Sequence, residues 1–238
     1  MHFHGTPITP RSKLLELVGR NFCVPFPDPR DVECCHEIGQ SVMLDNGAYT
    51  FWRNGGGDVD IDAYAGWVSP WLDFHTTWCV IPDRIDGTPD ENDELIKLWS
   101  EFGFPAAQCA PVWHLHEPLD RLHRLCGGFP RVCLGSSGAF ATVGDSRWHE
   151  RMTTVMNELC GNGPPPVWLH MLRGLQLSGS EYPFASADSS SIAQNHAGNN
   201  TRMTPRKSPV VMADELDGRQ CAPRWFQTAE QLSLLEAM

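Results

Sequence analysis

The chain lacks any apolar run of about 18 residues or more, so no membrane-spanning helix is expected. Near Met1 it lacks a basic stretch followed by an apolar one, which predicts no secretory signal and a cytoplasmic setting. There is no Cys-x-x-Cys pair. The nine cysteines are irregularly spaced and odd in number, and most lie inside apolar runs, as Cys79, Cys109 and Cys133 do. Free thiols in a reducing compartment fit that usage better than a disulfide frame. Positive charge is also scarce, with 18 Lys and Arg against 29 Asp and Glu and a net charge of −11. Strong non-specific binding to nucleic acid through the whole surface is thereby excluded, but a local basic face is not. The one stretch of that kind is 199–213, which carries Arg202, Arg206 and Lys207 with no acid before Asp214.

What is present is a regular alternation. Of the 238 residues, 41% are hydrophobic, enough for a sizeable core. Strand-like runs fall at 1–5, 21–25, 41–45, 77–82, 108–113, 131–134, 167–170 and 184–187. Between them the spacing is helical. Residues 10–20 carry Leu14, Leu15, Leu17 and Val18, and 31–40 reads as a short helix. Tyr64, Trp67, Val68, Trp71 and Leu72 form one face; Leu95, Leu98, Trp99 and Phe102 form another. Leu119, Leu122, Leu125 and Cys126, and then Trp148, Met152, Val155, Met156 and Leu159, repeat the pattern. The weakest helix is 172–180, and 228–237 could close the chain as a terminal helix. Eight strands with helical crossovers predict an α/β fold, a compact (β/α)8 TIM-like barrel over 1–200, with 201–238 as a short C-terminal extension packing on it. An open doubly wound sheet is the alternative.

In such a barrel the strand ends meet on one face. Three of them carry an aspartate: Ser41-Val42-Met43-Leu44 runs into Asp45, Val80-Ile81-Pro82 into Asp83, and Phe184-Ala185-Ser186-Ala187 into Asp188. The same ends bring His4, Pro25, His114, His116, Gly135, Ser136, His170 and Arg173. One aspartate after a strand is as readily a turn or helix cap as a catalyst. Three at one mouth point to acid–base and nucleophilic chemistry. Asp188 precedes Ser189, Ser190 and Ser191, whose hydroxyls either cap a helix start or hold the carboxylate as a nucleophile. Gly135-Ser136-Ser137-Gly138 is a small-residue loop that a flat ligand could approach closely.

Taken together, these segments resemble the tRNA-guanine transglycosylase superfamily, and are most similar to its DNA-acting branch, the DpdA-type deazaguanine DNA transglycosylases of phages and bacteria. Leu44-Asp45-Asn46-Gly47-Ala48-Tyr49 is similar to the family's Asp-Ser-Gly-Gly-Phe segment, and Ala187-Asp188-Ser189-Ser190-Ser191 to its Asp-Ser-Thr-Ser segment. Ile81-Pro82-Asp83, Pro111-Val112-Trp113-His114 and Leu134-Gly135-Ser136 look like its base-pocket strands. The resemblance covers about residues 1–200. It implies Asp188 as nucleophile and Asp45 as general acid/base. Asp83, His114, Gly135, Ser136, His170, Asn46 and Gly47 would surround the base, and Arg173, Arg202, Arg206 and Lys207 would meet DNA. The partners implied are DNA carrying deoxyguanosine and a 7-deazaguanine small molecule, with no cofactor.

The tRNA enzymes carry a Cys-x-Cys-x-x-Cys plus His zinc site after the nucleophile. Here only Cys221 follows Asp188, so no metal is expected there and a tRNA substrate is disfavoured. Two other readings stand beside this one. A metal-dependent amidohydrolase-type barrel would use His2, His4, His114 or His116, His170 and Asp188, although His2 directly follows Met1 and no Lys marks a strand end. A non-catalytic barrel would only bind a base or DNA.

Overall fold

The computed structural model describes residues 1–55, 57–197 and 207–227. Its strands are β1 (His2–Gly5), β2 (Asn21–Pro25), β3 (Ser41–Asp45), β4 (Thr77–Val80), β5 (Cys109–Ala110), β6 (Val112–His114), β7 (Arg131–Gly135), β8 (Trp168–Met171) and β9 (Ser186–Ser189). Its α-helices are α1 (Arg11–Leu15), α2 (Val32–Ile38), α3 (Ala48–Arg53), α4 (Ile61–Val68), α5 (Pro89–Ser100), α6 (Leu119–Gly128), α7 (Ser146–Cys160), α8 (Ser191–Asn195) and α9 (Pro209–Asp217). The strands neighbour one another in the order β5-β4-β3-β2-β1-β9-β8-β7-β6, and every pairing is parallel.

The two ends of that order, β5 and β6, are consecutive in the chain and separated only by Pro111. A proline has no N–H to give to a ladder, so the single strand expected over 108–113 is cut in two. One half pairs with β4 and the other with β7. The Pro111 carbonyl still accepts the Cys133 N–H at 2.9 Å. The result is a nearly closed, all-parallel TIM-like α/β barrel, with the sheet bent round on itself at the proline.

Side chains alternate across each strand, and this parity decides what faces the interior. Phe3, Cys23, Met43, Trp78, Val80, Ala110, Val112 and Cys133 fill the barrel. Register sets Phe3 opposite Asp188 and Pro25 opposite Asp45, so both aspartates lie on strands at the C-terminal end of that interior. Outside, α7 buries Trp148, Met152, Val155 and Met156, one stripe at helical spacing. Each aliphatic member contributes roughly 1.5–3 kcal/mol. Helix α5 starts at a capping box, in which the Thr88 hydroxyl accepts the Glu91 N–H and the Glu91 carboxylate accepts the Thr88 N–H.

Several expected elements differ. The helix over 10–20 shortens to α1, because the chain turns at Gly19 with φ 82°, leaving Leu15 and Val18 exposed. On α5 the inward residues are Asn92 and Trp99, while Leu98 and, just past the helix end, Phe102 stay exposed. The weak stretch 172–180 forms one 3-10 turn at Leu175–Leu177. Helix α9 was not anticipated. Ser208 caps it by accepting the Val211 N–H, Pro209 opens it, and Met212 and Ala213 join the core. The expected helix at 228–237 lies outside the described residues. All nine cysteines are free thiols. No helix among the described residues is long and apolar enough to cross a membrane.

Strand parity also corrects the reading of the first strand. His2 and His4 share a face of β1 with Phe3 on the other, so they point out of the barrel rather than toward its mouth. Both meet Asp217 on α9, at 3.2 and 3.3 Å, and Arg20 reaches the same carboxylate at 2.6 Å. Burial pushes the Asp217 carboxyl up, but the bonds from His2, His4 and Arg20 outweigh it and hold the group well below the usual carboxylate range. A depressed acid stabilises the fold above its unfolded pKa and loses that contribution as pH falls. Asp217→Asn should therefore lower stability by roughly 1–3 kcal/mol at pH 7. Thermal unfolding across pH should show this gap narrowing below about pH 4; a gap that stays constant down to pH 2.5 contradicts the assignment.

Candidate active site

At the C-terminal end of the strands a cavity of about 250 Å³ opens among Cys23, Asp45, Asn46, Tyr49, Asp83, His114, Gly135, Ser136, Leu172, Arg173, Asp188 and Ser190. All three strand-end aspartates line it. A larger hollow of about 430 Å³, bordered by Trp168, Pro183, Phe184 and Cys221, carries no carboxylate in its lining. The chemistry-bearing groups therefore converge on the smaller cavity.

Asp45 is the last residue of β3. The turn that follows needs a glycine. Gly47 has φ 75°, and a Cβ there would lie 2.3 Å from Pro27 Cδ. The Gly47 N–H donates to Asp45 at 3.2 Å. Burial, then the neighbouring charges of Asp188 and Asp83, push the Asp45 carboxyl up to about 7, against the pull of the Gly47 N–H and the Arg173 guanidinium. Gly47, expected to touch a ligand, instead supports Asp45 from the turn and is not among the cavity-lining residues.

Asp83 is held on both oxygens. Its Oδ1 accepts Asn46 Nδ2–H at 2.8 Å, and its Oδ2 pairs with His114 Nε2 at 2.8 Å. Asn46 is fully used, since its amide also donates to the Ile81 carbonyl and its oxygen accepts the Ala48 N–H. Gly135 allows the close fit of His114, because a Cβ at 135 would lie 2.7 Å from His114 Nδ1. That Nδ1 is buried with no protein partner. The ring stacks beside His116, centroids 5.7 Å apart.

Asp188, on β9, is bound at one oxygen only by the described residues. Oδ1 accepts the Arg173 backbone N–H at 2.7 Å and faces His170 Nε2 at 3.3 Å. The serines after it make local bonds only. Ser189 Oγ accepts the Ser191 N–H, and Ser190 Oγ accepts from Gln194. Neither hydroxyl bonds Asp188, and Ser190 at the start of α8 makes no side-chain cap bond, so these hydroxyls serve local turn and side-chain contacts instead. His170, expected to bind a ligand, is fully buried beneath Asp188 and does not line the cavity.

Arg173 has φ 56°, unusual for a residue with a side chain and worth about 1–3 kcal/mol of strain. That conformation directs its N–H to Asp188. Its guanidinium sits 3.9 Å from the centre of the Tyr49 ring and donates to the Ser136 carbonyl at 3.1 Å. Arg173 thus ties the loops after β3, β7 and β8 together at the mouth. Ser136 Oγ is turned away to accept the Trp148 indole N–H.

No protein-family model, no curated protein and no solved structure matches this chain.

Other expected roles are not borne by the cavity. Lys207 is paired with Glu215 on α9 and does not line it, and Arg202 and Arg206 lie outside the described residues. The metal set of the hydrolase reading is not assembled, because His2 and His4 face Asp217. Among the described residues no three His, Cys, Asp or Glu side chains come together in a metal-holding group. Sequence reasoning missed Tyr49, Cys23 and the Arg173 N–H. Tyr49 closes the Asp45 segment and was within reach of the same pattern; the left-handed Arg173 left no sequence signal.

The Asp45 carboxyl gives a direct check. An acid whose folded pKa is raised stabilises the fold below its unfolded pKa and loses that contribution as pH rises through the folded value. The window here runs from about pH 4 to about pH 7. Asp45→Asn cannot ionise, so its melting temperature should gain on wild type between pH 5 and pH 8. The expected gain is about 2–3 kcal/mol, or about 4–12 °C. An unchanged difference would mean that Asp45 titrates as an ordinary surface acid.

Proposed function

We propose that this protein is a DNA guanine transglycosylase, exchanging guanine for a 7-deazaguanine base, with 7-cyano-7-deazaguanine as the expected incoming base. The observation that carries the reading is the convergence of Asp45, Asp83 and Asp188 on one cavity in three different surroundings. Base exchange needs one carboxylate to attack, one to move a proton and one to read the base, and environments that differ let like groups differ in role.

In the first half-reaction Asp188 attacks C1′ of a deoxyguanosine from the face opposite the base. The C1′–N bond breaks, the C1′–O ester forms, and protonated Asp45 gives its proton to the departing guanine. In the second half the deazaguanine enters the same cavity and loses its ring proton to Asp45. Its nitrogen then attacks C1′, and Asp188 leaves with the bonding electrons. Asp45 ends as it began. A carboxyl pushed up to about 7 suits both directions of transfer near neutral pH. Asp83, kept in place by Asn46 and His114, accepts hydrogen bonds from the purine's amino and ring N–H groups. One glycosidic bond replaces another, so no energy cofactor is required. A base in duplex DNA must first leave the stack, which costs a few kcal/mol. Arg173 and Tyr49, stacked at the mouth, are suitably placed to meet a strand entering there.

The amidohydrolase reading is disfavoured, because its first two ligands face Asp217. Wild-type protein incubated with guanine-containing DNA should yield a covalent protein–DNA species on a denaturing gel. Asp188→Asn, nearly the same size but a poor nucleophile, should not. Equal activity in Asp188→Asn would overturn the assignment. Asp83→Ala should weaken deazaguanine binding about 10–100-fold by calorimetry, since ligand donors lose their acceptor. Asp45→Asn should bind the base almost normally yet slow incorporation. The reverse pattern would exchange the two roles.

A further inference from the structure

His170 is a fully buried histidine under Asp188 that takes no direct part in the proposed base exchange. It sits inside the barrel on β8, edge-on to Phe3 and Trp78 with centroids 5.8 and 5.1 Å away. An imidazole in so apolar a place is expensive unless both nitrogens are engaged. Both are. Nδ1 lies 2.8 Å from Ser186 Oγ and Nε2 lies 3.3 Å from Asp188 Oδ1. Ser186 Oγ also receives the Trp168 indole N–H at 2.7 Å. The ladder builds this arrangement. Trp168 and His170 alternate on β8, Ser186 and Asp188 alternate on β9, and register pairs His170 with Ser186.

The direction of each bond follows from what each group can do. An indole N–H only donates, so Ser186 Oγ accepts from Trp168. A carboxylate only accepts, so the bond to Asp188 requires the proton on His170 Nε2. Burial holds the imidazole below its ordinary pKa, despite the neighbouring Asp188, so the neutral ring carries that one proton. Nδ1 is then bare and must accept the Ser186 hydroxyl proton. Every bond runs the same way: Trp168 to Ser186, Ser186 to His170, His170 to Asp188.

We infer that His170 is a positioning residue for the Asp188 nucleophile, held in its Nε2–H form by Ser186 and Trp168. Its consequence for turnover rests on the base-exchange reading. The His170 and Arg173 N–H groups both end on Oδ1 and fix the plane of the carboxylate. Oδ2 carries no bond from the described residues and is the oxygen that attacks. When the C1′–Oδ2 bond forms, Oδ1 becomes the carbonyl oxygen of the ester and keeps its two donors. When the incoming base attacks C1′ and the C1′–Oδ2 bond breaks, the electron pair returns to a carboxylate already met by two N–H groups. His170 keeps its proton throughout. Its part is to orient Asp188 for attack and to make it a better leaving group in the second half.

A merely structural polar ladder would serve folding equally well, so the test reads the tautomer as well as the rate. Nitrogen NMR of the full chain labelled with 15N-histidine, with His170 assigned by its loss in His170→Gln, should show Nε2 protonated and Nδ1 bare. Ser186→Ala should shift the Nδ1 signal and loosen the tautomer while leaving the circular dichroism spectrum intact. In the exchange assay Ser186→Ala should lower kcat about 10–100-fold with KM for the deazaguanine within about twofold. His170→Gln, which can still donate an N–H, should keep more activity than His170→Leu. A proton on Nδ1 in wild type, or undiminished kcat in Ser186→Ala, overturns the inference, as do equal losses in His170→Gln and His170→Leu. If wild type performs no exchange at all, the base-exchange reading fails, and the NMR arm alone decides the positioning chain.

Discussion

Three carboxylates held at one end of a barrel form the constraint on which the rest of the site depends. Left to themselves, such groups repel and seek water. Here each has a separate set of donors: a turn N–H for Asp45, an amide and an imidazole for Asp83, a left-handed backbone N–H and a second imidazole for Asp188. Burial first, and then the charges of Asp188 and Asp83, push the Asp45 carboxyl up to about 7. The strain in Arg173 and the glycine at 47 belong to the same arrangement, since both place backbone N–H groups against carboxylates.

The barrel supplies the convergence. Its interior is filled by side chains from Phe3 to Cys133, so the cavity is confined to the C-terminal rim. Pro111 lets one strand serve both edges of the sheet and brings His114 round to Asp83. On the outer surface, the acid on α9 draws together His2, His4 and Arg20, fastening the extension to the first strand.

Much of this was legible in the residues. Short apolar runs ending in Asp45, Asp83 and Asp188, with helical spacing between them, lead directly to a barrel mouth rich in acid. What was not legible depended on parity and register. His170 and His4 both sit at strand ends in the sequence, but one points inward under Asp188 and the other outward to Asp217. The donors to Asp188 come from β8 and its loop, not from the adjacent serines, because only pairing in the sheet brings them near. Helix α9 was missed for another reason: only Met212 and Ala213 with Pro209 are buried on it, too few to make a visible stripe. Leu98 and Phe102 misled in the opposite sense, since the apolar stripe ran wider than the face the barrel covers and past the end of α5 at Ser100.

Base exchange leaves a chemical record in DNA, and that record is the most direct test. Nucleoside mass spectrometry of DNA from cells expressing this protein, supplied with 7-cyano-7-deazaguanine, should reveal the corresponding deazaguanine deoxynucleoside. It should be absent from cells expressing the protein without that supply. Unmodified DNA from the supplied cells, with the protein folded and abundant, would contradict the account.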